Sequence, residues 1–381
     1  MHSEWVRAMK LVFWGSAAVL AYAYFGYPAW LWLRCRYRAR PVHASPNTPS
    51  VSIVMVVRNE AAVLERKLKN LLELDYPKEL SEIIVISDGS TDTTDEILNY
   101  HAADRRVRII LNPESRGKAA CLNDAIDAAR GEIIVFTDAR QKIEASALRL
   151  LAQQFADSLV GCASGELMLG DPDSGEAMCG VGLYWRIEKN IREMESASGS
   201  VVGATGALYA ARRSLLVAVP AGTILDDVYI PMHVVRQGFR VVFVPSAHAW
   251  DIADQGTDRE FSRKVRTLSG NYQLVQLAPW LLGASNPLRF EFISHKLLRL
   301  FAPFALAAAF VASLFLTEPF YRLALALQLA FYILSLVAMM KVATGPLTRV
   351  ADAACTFVIL NSAAFVAFVN FVTGRRAAWV R

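Results

Sequence analysis

A repeating pattern between residues 51 and 140 constrains the fold more than any other feature. Val51–Val57, Ile83–Ile86, Val107–Leu111 and Ile133–Phe136 are short runs rich in Val and Ile. They read as buried strands. Ala61–Leu74, Thr93–Tyr100 and Ala119–Ala129 lie between them as helices. In the first of these, Val63, Leu64, Leu68, Leu71 and Leu72 share one side, and Tyr76-Pro77 stops it. This alternation with short connections predicts an α/β domain on a mostly parallel, doubly wound, Rossmann-like sheet.

The ends of these strands are polar. Arg58-Asn59-Glu60 follows the first, Ser87 to Asp92 the second, a loop over Asn112–Lys118 the third and Thr137-Asp138-Ala139-Arg140 the fourth. In an open α/β sheet ligands bind at the carboxyl ends of the strands. A lone Asp at a strand end ordinarily caps the next helix. Glu60, Asp88 and Asp138 should instead meet at one sheet edge, which favours a ligand site.

The pattern continues with a helix at Ser146–Phe155, a strand at Gly161–Leu169, a turn at Gly170–Gly175 and a packing helix at Leu183–Glu195. Gly203–Gly206 forms a tight loop ahead of Ala207–Ala210. Asp226-Asp227 opens a helix over Val228–Arg236; one Asp suffices for the helix terminus and the other is left for chemistry. A last strand at Val241–Val244 precedes His248 and Trp250. Phe261–Tyr272 is amphipathic and basic, suited to an anionic lipid surface.

Hydrophobic residues make up 54% of the 381 and charged residues 20%, more apolar than a soluble domain requires. The excess sits in Leu11–Leu33, Leu300–Leu316, Leu323–Met340 and Ala353–Val372, each about the length that crosses a bilayer. Pro28 and Arg34, Arg36, Arg38 and Arg40 mark the first as a retained anchor, not a cleaved signal. Those arginines outnumber Arg7 and Lys10 on the other flank, so the large middle segment belongs in the cytoplasm. Arg375, Arg376 and Arg381 run against the outside placement that four spans give the C-terminus. The organisation expected is a span over 1–33, a basic linker over 34–50, an α/β domain over 51–258, interfacial helices over 259–296 and about three spans over 297–381.

Five cysteines without metal-ligand spacing read as reduced thiols. The net charge of +5 is partly juxtamembrane and suits anionic lipid, with no need of nucleic acid.

Glu60, Ser87-Asp88-Gly89-Ser90, Gly117-Lys118, Asp138 and Asp226-Asp227, in this order and ahead of membrane helices, resemble the inverting family 2 glycosyltransferases. The layout is most similar to the cellulose synthase and hyaluronan synthase branch. The resemblance implies a GT-A-like domain, a UDP-linked sugar donor and Mg2+ or Mn2+. Asp227 then falls at the general base, with Asp226 at the acid before it. Arg58, Glu60, Asp88, Lys118, Asp138, Arg140, Arg263 and Arg266 are the candidates for the nucleotide sugar. Asp138, helped by His248, is the candidate for the metal.

Two departures qualify the resemblance. The family's Asp-x-Asp is here Asp138-Ala139-Arg140, so a second carboxylate is replaced by a cation able to meet phosphate oxygens. The Gln-x-x-Arg-Trp motif of processive synthases becomes Arg263-Lys264-Val265-Arg266-Thr267. Arg266 is kept, while the Trp that floors the growing polymer is Thr267; Trp250 is a substitute platform. The expectation is therefore transfer of one or a few sugars to a glycan or lipid-linked acceptor from the inner face of the plasma membrane. The other readings are a processive polysaccharide synthase, a non-catalytic component of an exopolysaccharide machine, and a transport protein. The near absence of charge within the spans speaks against transport.

Overall fold

The computed structural model describes residues 2–171, 176–177, 183–251, 257–340 and 347–375. The turn expected at Gly170–Gly175 falls largely outside these residues, as do Arg376 and Arg381. The strands are β1 (Val51–Val57), β2 (Ser81–Asp88), β3 (Val107–Asn112), β4 (Ile133–Thr137), β5 (Lys142–Ile143), β6 (Val160–Asp171), β7 (Glu176–Ala177), β8 (Leu208–Arg212) and β9 (Arg240–Asp251). The sheet runs β3-β2-β1-β4-β8-β6-β9-β5, with β7 paired to β6.

The first half is the expected parallel sheet: β1 pairs β2 and β4, and β2 pairs β3, all parallel. The chain leaves β1 toward β2 and β3 on one side and returns to β4 on the other. The strand order therefore reverses between β1 and β4, and a crevice opens at their carboxyl ends. The second half is mixed. β8 is antiparallel to both β4 and β6, while β6 and β9 are parallel. The tight loop at Gly203–Gly206 delivers β8 in this reversed sense.

β9 is longer than the Val241–Val244 expected from sequence. Pro245 and Ser246 read as a breaker, because proline cannot donate to a ladder. The sheet absorbs them as a bulge: the register steps from Ser164 opposite Phe243 to Glu166 opposite His248. The strand then continues to Asp251 and places His248 inside the sheet.

Alternation along the strands feeds two cores. Val54, Ile84, Ile86 and Phe136 pack on one face with Cys121, Leu122 and Ala125 of the helix Lys118–Ala128 and with Val228 to Val235 of the helix Asp226–Arg236. Ile53, Met55, Val85 and Val135 pack on the other with Leu64 and Leu68 of the helix Ala61–Leu72 and with Leu148 and Leu151.

Among the described residues four helices are long and apolar enough to cross a membrane: Ser3–Tyr37, Arg289–Phe315, Pro319–Met339 and Thr348–Val372. Each contains or overlaps an apolar run read from the sequence. The first carries a π-turn at Tyr22–Gly26. These helices are joined to the sheet domain by buried polar contacts. Tyr27 donates to Glu195 Oε1 at 2.6 Å, and His295 lies between Glu195 at 2.7 Å and Glu188 at 3.0 Å. Arg299 donates to Glu188 at 2.6 Å, while Arg34 pairs with Glu291 and so ties the first long helix to the second. The 34–50 linker is docked as well, with the Arg40 N–H on the Ala197 carbonyl at 2.7 Å.

The basic helix expected at Phe261–Tyr272 lies within Thr257–Leu277. Val265, with Phe261, Leu268 and Tyr272, packs on Ala363 and Ala367 of the last long helix. Gln273 exchanges hydrogen bonds with the 222–224 loop, accepting from Ile224 N–H at 2.9 Å and donating to the Gly222 carbonyl at 2.8 Å.

Candidate active site

The crevice between β1 and β4 gathers most of the residues expected from the sequence. Asp138 leaves β4 and Glu60 follows β1. Arg140 Nε stands 3.8 Å from Glu60 Oε1, so the cation in place of a second carboxylate leans across the mouth of the crevice. Arg58 is exposed at its rim. Burial raises the pKa of Glu60, opposed by Arg140 and reinforced by Asp138 and Asp92.

Asp88 has other partners than a ligand at the sheet edge. It is 4% exposed. Its carboxylate accepts from Ser115 Oγ at 2.9 Å, Arg116 N–H at 2.6 Å and Gly117 N–H at 3.0 Å. Burial alone would raise its pKa, but these donors together lower it. The effect is mechanical: Asp88 pulls the 115–117 loop onto the end of β2 and so aims the next residue, Lys118. Gly89 makes this possible. Its φ is +63°, and a Cβ there would meet the Ser115 nitrogen at 2.5 Å.

Lys118 begins its helix and turns its ammonium into the site. Nζ lies 3.2 Å from Asp138 Oδ1 and 3.3 Å from Asp226 Oδ1. Burial would lower its pKa, but Asp138, Asp226 and Asp227 together raise it, so the lysine is a fixed cation.

Asp226 is spent on this ion pair. Asp227 is held differently: its Oδ2 accepts the Gly206 N–H at 3.1 Å, and its carbonyl accepts the Ala204 N–H at 2.7 Å. The Gly203–Gly206 loop thus cradles the second acid. A Cβ at Gly206 would sit 3.2 Å from that Oδ2, so this approach suits glycine. Burial, then Asp226, push the pKa of Asp227 up to about 6, against the pull of Lys118 and Lys296. A carboxylate so tuned takes up a proton near neutral pH, as a general base must.

His248 does not join Asp138. Its Nδ1 is 2.7 Å from Glu144 and its Nε2 is 3.9 Å from Glu166, which also takes Lys189 at 2.9 Å. The bulge that extends β9 carries the ring to these carboxylates. Among the described residues no cluster of three or more His, Cys, Asp or Glu forms a metal cage. The donor set does fit an ion held lightly. Asp138, 44% exposed at its side chain, offers a carboxylate oxygen at the crevice, and Mg2+-type ions commonly take one or two carboxylates with the rest from phosphate and water. Arg263 and Arg266 lie on the Thr257–Leu277 helix, which meets the site through Gly270 against Leu225 and through Gln273.

Two further residues at the site, Tyr209 and Arg192, carried no recognisable sequence signal. The Tyr209 hydroxyl is buried without a hydrogen-bond partner among the described residues, and its ring stacks on Phe136 at 4.5 Å. Ser164 Oγ accepts from Arg192 at 2.7 Å and from Thr205 N–H at 3.0 Å, bracing the loop that cradles Asp227. Arg192 lies on the Leu183–Ser198 helix, and the spacing of Leu183, Ile187, Ile191 and Met194 there suggested only a packing helix.

Comparison with known proteins agrees with this geometry. The family Glycosyl transferase family 2 matches residues 52–218. Poly-beta-1,6-N-acetyl-D-glucosamine synthase of Staphylococcus aureus is 24% identical over 230 residues, 59% of this chain and 55% of that protein. The synthase of Staphylococcus epidermidis is 23% identical over 234 residues, 60% and 56% of the two chains. The chain thus spans about half the length of these curated relatives. A mannosyltransferase from Pyrobaculum calidifontis, solved with GDP-Man and Mn2+, superposes with a TM-score of 0.74 at 24% identity, covering 96% of this chain and 100% of that one. Its likeness extends the shared fold through the apolar helices. The sheet order, the strand-end acids and the family match together make residues 52–218 a family 2 glycosyltransferase domain with a GT-A-like fold.

Proposed function

We propose that the chain is a membrane-spanning, inverting glycosyltransferase that moves a sugar from a UDP-linked donor to a glycan or lipid-linked acceptor. The observation that carries this reading is the Lys118 ammonium held between Asp138 and Asp226, with Asp227 beside it. One cation joins the acid at the donor crevice to the acid pair where an acceptor is activated.

In this mechanism the nucleotide lies over the carboxyl ends of β1 and β2, contacting Arg58 and Glu60. Asp88 shapes the 115–117 loop beneath it. Asp227 removes the proton of the acceptor hydroxyl. That oxygen attacks the anomeric carbon from the face opposite the diphosphate, so the new bond forms as the carbon–diphosphate oxygen bond breaks, and configuration inverts. The proton ends on Asp227 and the nucleoside diphosphate leaves with the bonding pair. Lys118 and Arg140 face the charge that develops on it. Arg263 and Arg266 approach from the helix packed on the 222–225 loop. Mg2+ or Mn2+, when bound at Asp138, supplies further charge neutralisation to the diphosphate.

The excess of Arg34–Arg40 over Arg7 and Lys10 supports a sheet domain on the cytoplasmic side of the inner membrane, and the length and apolar character of the four long helices support their spanning it. The acceptor then approaches along the membrane surface. Thr267, exposed where processive enzymes carry a stacking Trp, favours addition of one or a few sugars. The polymer-synthase relatives favour a second reading, processive synthesis.

Incubating membranes bearing the full chain with labelled UDP- and GDP-sugars, with product mass as the readout, tests both. Expected is a product extended by one or a few residues from a UDP-sugar, lost in Asp227→Asn. A long ladder of masses supports the processive reading. Transfer by Asp227→Asn at the wild-type rate removes Asp227 as the base.

A further inference from the structure

The helix Ala61–Leu72 buries one face against the sheet, and one member of that face is a cation. Lys67 is 2% exposed. Its Nζ donates to Thr137 Oγ1 at 2.9 Å and to the Gln141 carbonyl at 2.7 Å. Neighbours on the helix grip the same segment. Arg66 donates to the Arg140 carbonyl at 3.3 Å, and Asn70 exchanges two hydrogen bonds with Ile143, both at 2.8 Å. The segment held in this way, Thr137–Ile143, contains Asp138 and Arg140. Thr137 Oγ1 also donates to the Ala207 carbonyl at 2.9 Å. The contact therefore reaches the residue after Gly206, whose N–H binds Asp227.

A buried ammonium ordinarily has a carboxylate partner. Lys67 has neutral oxygens instead, and no carboxylate within ion-pair distance among the described residues. Packing does not call for a cation here, since a leucine or methionine fills such a helix position without the desolvation cost. The charge lies directly beneath the turn that presents Asp138. Asp138 stands between cations, with Lys118 in contact above it and Lys67 behind the turn. Burial lowers the pKa of Lys67 to about 7, with Asp138 opposing this and Arg66 adding to it. A diphosphate arriving at Asp138 acts in the same sense as Asp138 and favours the charged form.

We infer that Lys67 is a positioning residue of the donor site: by bridging Thr137 and Gln141 from beneath, its ammonium sets the Asp138–Arg140 turn and adds internal positive potential for the donor diphosphate. This rests on the reading of that turn as the diphosphate edge. The consequence is a separation of stability from function. Lys67→Met removes a costly buried charge, so the fold tolerates it, whereas diphosphate binding weakens.

The test uses the purified full chain in lipid nanodiscs, titrated calorimetrically with UDP, GDP and the nucleosides uridine and guanosine. The variants are Lys67→Met, Lys67→Gln and Lys67→Arg, with the exposed Lys69→Met as a control for charge on the same helix. Expected are melting temperatures for Lys67→Met and Lys67→Gln within about 3 °C of wild type. Both should bind the preferred diphosphate about tenfold more weakly, a difference of ~1.4 kcal/mol. Nucleoside binding stays unchanged, Lys67→Arg recovers most of the loss, and Lys69→Met has no effect. Wild-type affinity in Lys67→Gln overturns the electrostatic role. Equal losses of nucleoside and diphosphate binding, together with a lowered melting temperature, reduce Lys67 to ordinary packing. Failure of the wild type to bind either diphosphate overturns the donor-site reading itself and the inference with it.

Discussion

Lys118 Nζ lies 3.2 Å from Asp138 Oδ1, and this contact ties the crevice at the end of β4 to the Asp226-Asp227 acid pair, because the same ammonium is 3.3 Å from Asp226. Each carboxylate is on a different element, one after β4 and one at the start of the Asp226–Arg236 helix. Without the cation they would repel across a partly buried space. The lysine therefore orders the two halves of the site, and in the proposed reaction it faces the leaving group.

Replacing Lys118 by Met removes the charge and leaves Asp226 buried without its partner. The expected result is a fall in kcat of about 100- to 1,000-fold, the scale of losing one preorganised charge-stabilising group. Lys118→Arg keeps the charge in a different shape and should recover part of it. Steady-state kinetics with the preferred donor measures both. A loss confined to acceptor KM would show that Lys118 serves acceptor binding instead.

With Asp227 as the proposed base, the acid limb of the pH–rate profile should belong to it. Its pKa is raised to about 6 by burial first and then by Asp226, and the base works only when ionised. Activity should fall as pH drops through about 6, while the fold persists. Glu188 and Glu195 point the other way: burial opposes their ionisation, but His295 and Lys296, joined by Arg299 at Glu188 and by the Tyr27 hydroxyl at Glu195, together outweigh it, and both are held below the ordinary value of 4.5. A depressed carboxylate contributes stability that is complete above its unfolded pKa and is lost only as pH falls through the lower folded one. Asp227, being raised, is more easily accommodated protonated than ionised, so its titration does not unfold the domain. Rates and thermal melts taken in parallel between pH 5 and pH 7 (an interval spanning about one unit either side of that pKa) separate these effects. A melting temperature that falls in step with the rate would assign the limb to unfolding.

The parallel half of the sheet and the strand-end acids were legible because β1, β2 and β4 are unbroken apolar runs ending in polar residues. Such runs admit few other readings. The long helices were legible for the same reason. What the chain concealed depended on distant pairing. β9 stopped at Pro245 on local grounds, although β6 carries it through a bulge to Asp251. That extension decides the partners of His248, expected near Asp138 and found between Glu144 and Glu166. Asp88 shows a different limit. Its position at a strand end was read correctly, but only the folded 115–117 loop reveals that its oxygens are already engaged. Lys67 was hidden because a lysine between leucines on an amphipathic helix is ordinarily solvated.

Gly89 supports the Asp88 contact through backbone geometry alone. With φ at +63° and the Ser115 nitrogen 2.5 Å from any added Cβ, Gly89→Ala must shift either the end of β2 or the 115–117 loop. A cost of about 2–4 kcal/mol follows from strain plus overlap, visible as a lower melting temperature. Because the loop aims Lys118, the surviving protein should also show a weaker kcat. Ser90→Ala, one residue on, loses only the hydrogen bonds to Ser87 and to the Asn59 N–H and should leave both nearly unchanged. Equal behaviour of the two variants would remove the special role of the glycine.

In the proposed reaction Arg140 sets how far the chemistry leans on a metal. It stands where the family pattern has a second carboxylate and lies 3.8 Å from Glu60, so the crevice carries fixed positive charge beside the half-buried Asp138. A divalent ion held by one carboxylate and the diphosphate is bound weakly, and Lys118 and Arg140 share its electrostatic role. Chelation with EDTA should therefore lower the rate by about tenfold without abolishing it, a fraction of what a dedicated metal centre supplies. Arg140→Asp restores the two-carboxylate pattern and removes the cation at once. That variant should be nearly inactive after chelation and should regain activity steeply as Mn2+ is added. Titrating Mn2+ against initial rate in both proteins reads the difference directly, with Arg140→Ala separating loss of the cation from gain of the acid. If chelation silences the wild type completely while Arg140→Ala is neutral, the fixed charges do not substitute for the ion and this account of the crevice fails.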